Sequence, residues 1–281
     1  MKYKLLIYLV SMLISVLYGI ARGEPLEKIS DDPDHTKSLS NILENLYGHG
    51  PFYFLYGWDP DNVKFQISFK YRILNPDGPL SRNWPGLANL YFGYTQTSFV
   101  ERYTPSDPIL DTSFKPELLY SQQDVSLGKI SWISRLGFES GVQHESNGQS
   151  GDKSRNLNIF YIKPILAFGN VDRYHFTVAP KAWAYITNLS ENPDIAEFLG
   201  YFDLELKFGK PDGLELRSNM RKGTGSGKGS IQIDFTYPLG KILSGNFNGY
   251  FLVQYFSGYG ETLLHYNQKD TQFRIGFALY R

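Results

Sequence analysis

The 281-residue chain contains no cysteine. That excludes a disulfide framework and fits a secreted protein that does without one. No excess of either charge is present: 28 Lys and Arg stand against 28 Asp and Glu. A strongly basic nucleic-acid binder is thereby excluded. Long apolar runs are also missing. Past the N-terminus no stretch approaches the roughly 18 consecutive apolar residues that a transmembrane helix needs. The one apolar stretch, Leu5–Leu17, lies between the basic Lys2 and Lys4 and the small-x-small sequence Ala21-Arg22-Gly23. This is the make-up of a secretory signal. Read as cleaved, residues 1–23 leave 25 basic and 28 acidic residues, a net charge of −3.

What the chain has in quantity is aromatic side chains, 21 Tyr, 20 Phe and 4 Trp, and strict alternation. In Asn62–Ile73 the odd positions read Val63, Phe65, Ile67, Phe69, Tyr71, Ile73, and the even ones Lys64, Gln66, Ser68, Lys70, Arg72. Ser230–Tyr237 and Gln272–Tyr280 repeat the pattern. A period of two with one apolar and one polar face is the signature of β-strands. Twelve candidates follow, at 51–58, 62–73, 87–100, 115–124, 130–146, 154–168, 173–187, 196–209, 213–223, 229–237, 246–260 and 270–281. Turns rich in Gly, Pro, Asn and Asp separate them. A helical period is confined to His35–Tyr47.

A soluble β-sandwich and a membrane barrel both alternate. The strands here keep both faces over about ten residues or more, enough to cross an outer membrane. Their number is even, as single-chain bacterial barrels require. We therefore expect an all-β fold, a 12-stranded antiparallel transmembrane β-barrel over 51–281, after a signal peptide (1–23) and an N-terminal periplasmic segment (24–50). Tyr250, Tyr255, Tyr259, Trp132 and Trp183 are expected to form interfacial girdles. With the N-terminus in the periplasm, the connections after odd-numbered candidates are extracellular and hold Thr104–Phe114, Asn147–Lys153 and Asn188–Asp194. Residues 74–86 would then be a long periplasmic turn.

One segment carries chemistry: His144-Glu145-Ser146-Asn147-Gly148, followed by Asn158. On a strand, residues two apart share a face, so His144 and Ser146 lie on the same side, about 6.6 Å apart at Cα. If Asn147–Lys153 is a hairpin turn centred on Gly151, Asn158 falls opposite His144. A hydroxyl, a base and an amide able to orient the base form a hydrolase triad. The same residue types are also ordinary turn residues. The even face of the strand, with Trp132, Leu136, Phe138 and Val142, is the more apolar and faces lipid. His144 and Ser146 thus sit on the outer wall at the rim of the outer leaflet. A pore has no use for a polar pair there, whereas an enzyme that acts on lipid does.

The chain resembles the bacterial outer-membrane phospholipase A family over nearly all of its length past the signal. The segments that carry the likeness are Tyr94-Thr95-Gln96-Thr97-Ser98, Lys115-Pro116-Glu117-Leu118, His144 through Ser150 with Ser154 through Asn158, Asn192-Pro193-Asp194-Ile195, and Ser257 through Leu263. The resemblance implies a calcium-dependent serine hydrolase of the outer membrane. It would release fatty acids from membrane phospholipids (A1, A2 and lysophospholipase activity), act as a homodimer, and hold its active site toward the cell surface. It implies Ser146 as nucleophile, His144 as general base, Asn158 as orienting residue and the Gly148 N–H as oxyanion donor. For calcium it implies the Ser154 side chain, the Gln149 carbonyl and, from the neighbouring subunit, the position of Asp107. A second calcium site would use Glu191 and a carboxylate where this chain has Gly151, beside Asp152. Gln96 would hydrogen-bond across the dimer interface. The rival from another class is a passive porin or structural barrel, which would rely on charges in the lumen.

Overall fold

The computed structural model describes residues 42–58, 61–101, 109–125, 132–245 and 247–281. The signal peptide, most of the N-terminal segment and Asp107 lie outside these residues. A three-residue strand, β1 (Leu46–Gly48), precedes the barrel. The barrel strands are β2 (Phe52–Trp58), β3 (Asp61–Arg72), β4 (Leu90–Glu101), β5 (Ile109–Gln122), β6 (Arg135–Ser146) and β7 (Asn156–Gly169). They continue as β8 (His175–Tyr185), β9 (Phe202–Gly209), β10 (Glu215–Lys222), β11 (Gly229–Pro238), β12 (Tyr250–Tyr259) and β13 (Lys269–Tyr280). Each pairs antiparallel with its sequence neighbours, and β13 pairs with β2, which closes a 12-stranded barrel. Closure removes every unpaired edge from the sheet, the condition for a β-structure in hydrocarbon.

The alternation is turned inside out relative to a soluble protein. Phe54, Phe92, Leu118, Val142, Phe160 and Phe273 stand exposed on the outer wall. Lys64, Lys70, Glu117, Arg217, Asp234, Gln254 and Arg274 are buried in the lumen. Buried charge is costly unless paired, and here it is paired. Lys64 donates to Gln254 (2.8 Å) and Glu261 (3.2 Å). Arg274 meets Glu261 (2.5 Å) and Asn62 (2.8 Å). Glu117 accepts from the Tyr161 hydroxyl (2.6 Å) and the Gln143 amide (3.3 Å), and lies 2.8 Å from His49 Nε2. Several of these bonds cross the bore: Lys70 of β3 reaches Glu139 of β6 at 3.4 Å, and Lys64 of β3 reaches Gln232 of β11 at 3.4 Å. A passive pore would keep that space open.

Three expectations are corrected. Residues 196–209 are not one strand: Ile195–Leu199 is a short helix and β9 begins at Phe202. Ile195, Phe198 and Leu199, at helical spacing, are buried with Leu157, Ile159, Tyr161, Leu263 and Tyr266 as an apolar cap. Gly200 ends that helix at φ +66, where an added Cβ would lie 2.0 Å from the Lys222 carbonyl oxygen. Second, residues 74–86 hold a helix, Pro79–Asn83, and a 3₁₀ turn over Pro85–Asn89 takes the place of the expected start of β4. Proline at the first helical position favours both starts. Third, Trp183 and Tyr259 pack against the apolar cap, and Tyr250 packs against a buried cluster of Tyr53, Leu55, Leu252 and Ala278. Strand parity sends Trp183 and Tyr250 away from lipid. Trp132 and Tyr255 stand exposed as expected, and the outer wall carries the stacked pairs Trp132–Phe168 and Tyr174–Phe208 at one end and Trp58–Phe273 at the other.

Candidate active site

The site is built on the ends of β6 and β7. Their register places His144 opposite Asn158 and Ser146 opposite Asn156, in one unbroken ladder that begins at Arg135 opposite Ala167. Opposed residues share a face, so His144, Ser146, Asn156 and Asn158 all look outward beside Val142 and Phe160. Glu145, between the two outward residues, points the other way. It accepts a hydrogen bond from Ser113 Oγ (2.6 Å) and pairs with Lys115 (3.2 Å), both of β5. These bonds brace β6 where the adjacent Pro116 has no N–H to give the ladder.

His144 Nδ1 lies 2.8 Å from Asn158 Oδ1. A carboxamide oxygen only accepts, so Nδ1 carries the ring proton and Nε2 is left as the basic nitrogen. Asn158 Nδ2 donates in turn to Thr187 Oγ1 at 2.9 Å. Thr187 lies just past β8, and no periodicity in the sequence pointed to it. Ser146 follows His144 by two residues on the same face, and its hydroxyl has no hydrogen bond among the described residues. A base held in one tautomer beside a free hydroxyl can deprotonate that hydroxyl for attack on an ester.

The turn after Ser146 is shaped by Asn147, a residue the sequence reading passed over. Its side chain is buried. Nδ2 donates to the Lys153 carbonyl (2.8 Å), and Oδ1 accepts from the N–H groups of Arg155 (3.1 Å) and Gln149 (3.3 Å). Gly148 takes φ +66 in consequence. Its N–H has no acceptor among the described residues. An added Cβ would come within 3.0 Å of the Phe114 ring. Phe114 is itself opposite Ser146 on one side and Gln96 on the other. One outward row therefore runs from Gln96 through Phe114 and Ser146 to Asn156. Gln96 accepts from the Tyr94 hydroxyl (2.9 Å) and donates to Ser98 Oγ (3.2 Å).

Of the expected calcium ligands, Ser154 and Glu191 meet: Ser154 Oγ donates to Glu191 Oε2 at 2.7 Å, and Asn156 Nδ2 donates to the same oxygen at 2.6 Å. The sequence reading had assigned Ser154 and Glu191 to two different sites. Gln149 lies in the same turn. Asn192, fully buried, accepts from the Asn156 N–H at 3.1 Å and ties the Glu191 loop to β7. Among the described residues no group of three His, Cys, Asp or Glu side chains is placed to hold a metal. The donors gathered here are a hydroxyl, a carboxylate and a backbone carbonyl, oxygens of the kind calcium prefers.

A family model described as Phospholipase A1 matches residues 33–279. A Neisseria meningitidis serogroup B protein that bears the phospholipase A1 name is 33% identical over 224 residues, covering 76% of this chain and 53% of the relative. The chain thus spans about half the length of that relative. The phospholipase A1 of Escherichia coli K12 is 29% identical over 225 residues, 78% of this chain and 70% of that protein. Among solved structures, outer membrane phospholipase A from Escherichia coli aligns with a TM-score of 0.68 at 26% identity, over 83% of this chain and 98% of that one. The Salmonella typhi outer membrane phospholipase, a dimer with bound calcium, aligns with a TM-score of 0.67 at 26% identity, over 83% and 92%.

Proposed function

The chain belongs to the phospholipase A1 family of Gram-negative outer-membrane enzymes, and from that premise we propose that it hydrolyses acyl esters of membrane phospholipids with a Ser146–His144–Asn158 triad. The observation that carries this reading is the 2.8 Å contact between His144 and Asn158 on the lipid-facing wall, two residues from Ser146. Ser146 Oγ attacks the ester carbonyl while His144 Nε2 takes its proton. Asn158 steadies the Nδ1–H and the imidazolium that forms, without placing a charge in a low-dielectric wall. The tetrahedral oxyanion is met by the Gly148 N–H. His144 then returns the proton to the departing glycerol oxygen, which leaves an acyl-serine. A water deprotonated by His144 hydrolyses it and frees the fatty acid. The site is an open wall, so first- and second-position esters and lysophospholipids are all within its range.

Calcium fits the oxygens of Ser154, Gln149 and Glu191, with Asp107 of a neighbouring subunit as a further ligand. When bound, it supplies positive charge that favours the oxyanion. The row from Gln96 to Ser146 is the face we assign to a homodimer, in which the second barrel gives the acyl chain a wall to lie against. The rim that holds Ser146 faces the cell surface. The decisive test is fatty-acid release from phospholipid in detergent micelles, with calcium and with chelator, for wild type and Ser146→Ala. Sedimentation is run beside it. Calcium-dependent release by a dimer, lost in Ser146→Ala with the barrel intact, is expected. More than a few per cent of activity in purified Ser146→Ala would put the nucleophile elsewhere.

A further inference from the structure

The Asn158 side chain has two ends of nearly equal shape and opposite hydrogen-bonding sense. Only one order serves the reaction proposed above. With Oδ1 toward His144, Nδ1 keeps the proton and Nε2 is free to accept one. With the amide turned over, Nδ2 would donate to Nδ1, the ring proton would move to Nε2, and the base would be blocked. We propose that Thr187 is a positioning residue for this reaction, its hydroxyl accepting the Asn158 Nδ2–H and holding the amide where Oδ1 meets His144 Nδ1. The inference rests on the triad reading.

The geometry supports it at each step. Thr187 Oγ1 lies 2.9 Å from Asn158 Nδ2, at the end of the amide away from His144. The stretch that delivers it is tied down by the two residues that precede it. The Ile186 N–H donates to the Asn158 carbonyl itself at 3.0 Å. The Tyr185 hydroxyl donates to the Gly200 carbonyl at 3.0 Å, and the helix between them is buried in the apolar cap. A hydroxyl donates as readily as it accepts. Thr187 therefore does not choose between the two orders; it restrains the rotation of the amide that would carry Oδ1 off His144 Nδ1.

The test is a double-mutant cycle. Thr187→Val removes the hydroxyl at nearly constant shape, and Thr187→Ser keeps it. Each is made alone and in an Asn158→Ala background, and assayed on a diacyl phosphatidylcholine in mixed micelles with calcium. Folding is checked by heat-dependent electrophoretic mobility. One lost hydrogen bond predicts that Thr187→Val lowers kcat about three- to tenfold with KM unchanged. Thr187→Ser should stay near wild type, and Thr187→Val should have no further effect once Asn158 is alanine. Should Thr187→Val fold poorly, Thr187→Ala is carried through the same cycle. Wild-type kcat in Thr187→Val overturns the inference. So does an equal loss in both backgrounds, which marks a structural role, or a serine variant as slow as the valine one. An active Ser146→Ala would instead remove the triad reading beneath it. An inactive Ser146→Ala beside an unaffected Thr187→Val would remove this inference alone.

Discussion

Replacing Gly148 with alanine probes the oxyanion donor without touching the triad. Two separate costs can be worked from the structure. At φ +66 a residue with a Cβ pays about 1–2 kcal/mol for a left-handed conformation. The new Cβ also falls 3.0 Å from Phe114 Cε2, so the ring must give by a few tenths of an ångström. The turn relieves both by rotating the Asn147–Gly148 peptide, which swings the N–H from the position that the oxyanion takes. Loss of one such donor costs about a hundred- to a thousandfold in kcat, and partial displacement correspondingly less. We expect kcat to fall about ten- to a hundredfold, with little change in KM. Stability should fall by no more than that cost of about 1–2 kcal/mol, and by less where the rotation relieves the strain. Adding Phe114→Leu relieves the steric cost and leaves the dihedral cost, so the double variant should recover only part of the rate. The assay is steady-state fatty-acid release in mixed micelles. A folded Gly148→Ala with wild-type kcat would refute the role of this N–H.

Asn158→Ala should be milder than His144→Ala, because it leaves the proton acceptor in place and removes only its orientation. Equal inactivity in two folded variants, measured by the same release assay, contradicts that division of roles. Gln96→Leu should weaken the homodimer proposed above by about 1 kcal/mol, the usual worth of a polar contact between membrane-embedded segments; sedimentation at graded detergent-to-protein ratios reads it, and an unchanged dimer removes Gln96 from the interface. Burial alone would raise the Glu261 carboxyl, but the charges of Lys64 and Arg274 outweigh it and hold it below the usual range. A depressed carboxylate stabilises the fold above its unfolded value, and that contribution is lost as pH falls through the folded one. Resistance to denaturant should therefore drop in acid below about pH 4. Glu261→Gln should lose up to about 3 kcal/mol at neutral pH and show a flatter acid limb in urea unfolding.

The strands were legible because an alternation of two survives wherever one face meets lipid and the other a polar lumen. The pairing of His144 with Asn158 was legible because a single turn separates them, so counting residues from Gly151 sets the register. The helix at Ile195–Leu199 was hidden because Ile195, Phe198 and Leu199 satisfy a helical spacing inside a run that also reads as strand. Trp183 and Tyr250 were misplaced because aromatic content marks a girdle only when strand parity points it outward. Thr187 and Asn147 left no mark at all. Each acts by a side-chain hydrogen bond across a loop, and such contacts have no period. The meeting of Ser154 with Glu191 is of the same kind, made by a loop that Asn192 fastens.

The alternation also divides labour between the two faces of one strand. Along β6 the inward residues Glu139, Gln143 and Glu145 are bonded to Lys70, Glu117 and Lys115 and belong to the network that fills the barrel. The outward residues of the same strand, His144 and Ser146, are those to which we assign the chemistry. Polar groups are expensive on a wall that faces lipid, and most of those near the site are engaged with one another: Asn158 with His144 and Thr187, Ser154 and Asn156 with Glu191, Gln96 with Tyr94 and Ser98. The Ser146 hydroxyl and the Gly148 N–H keep open hydrogen-bonding capacity among the described residues. They are the two groups that an ester carbonyl would meet, one as nucleophile and one as donor. A wall that satisfied them internally would be cheaper to insert in the membrane and inert. Their openness fits the place that we assign to a phospholipid ester, and it is the reason that substitutions there should change rate far more than stability.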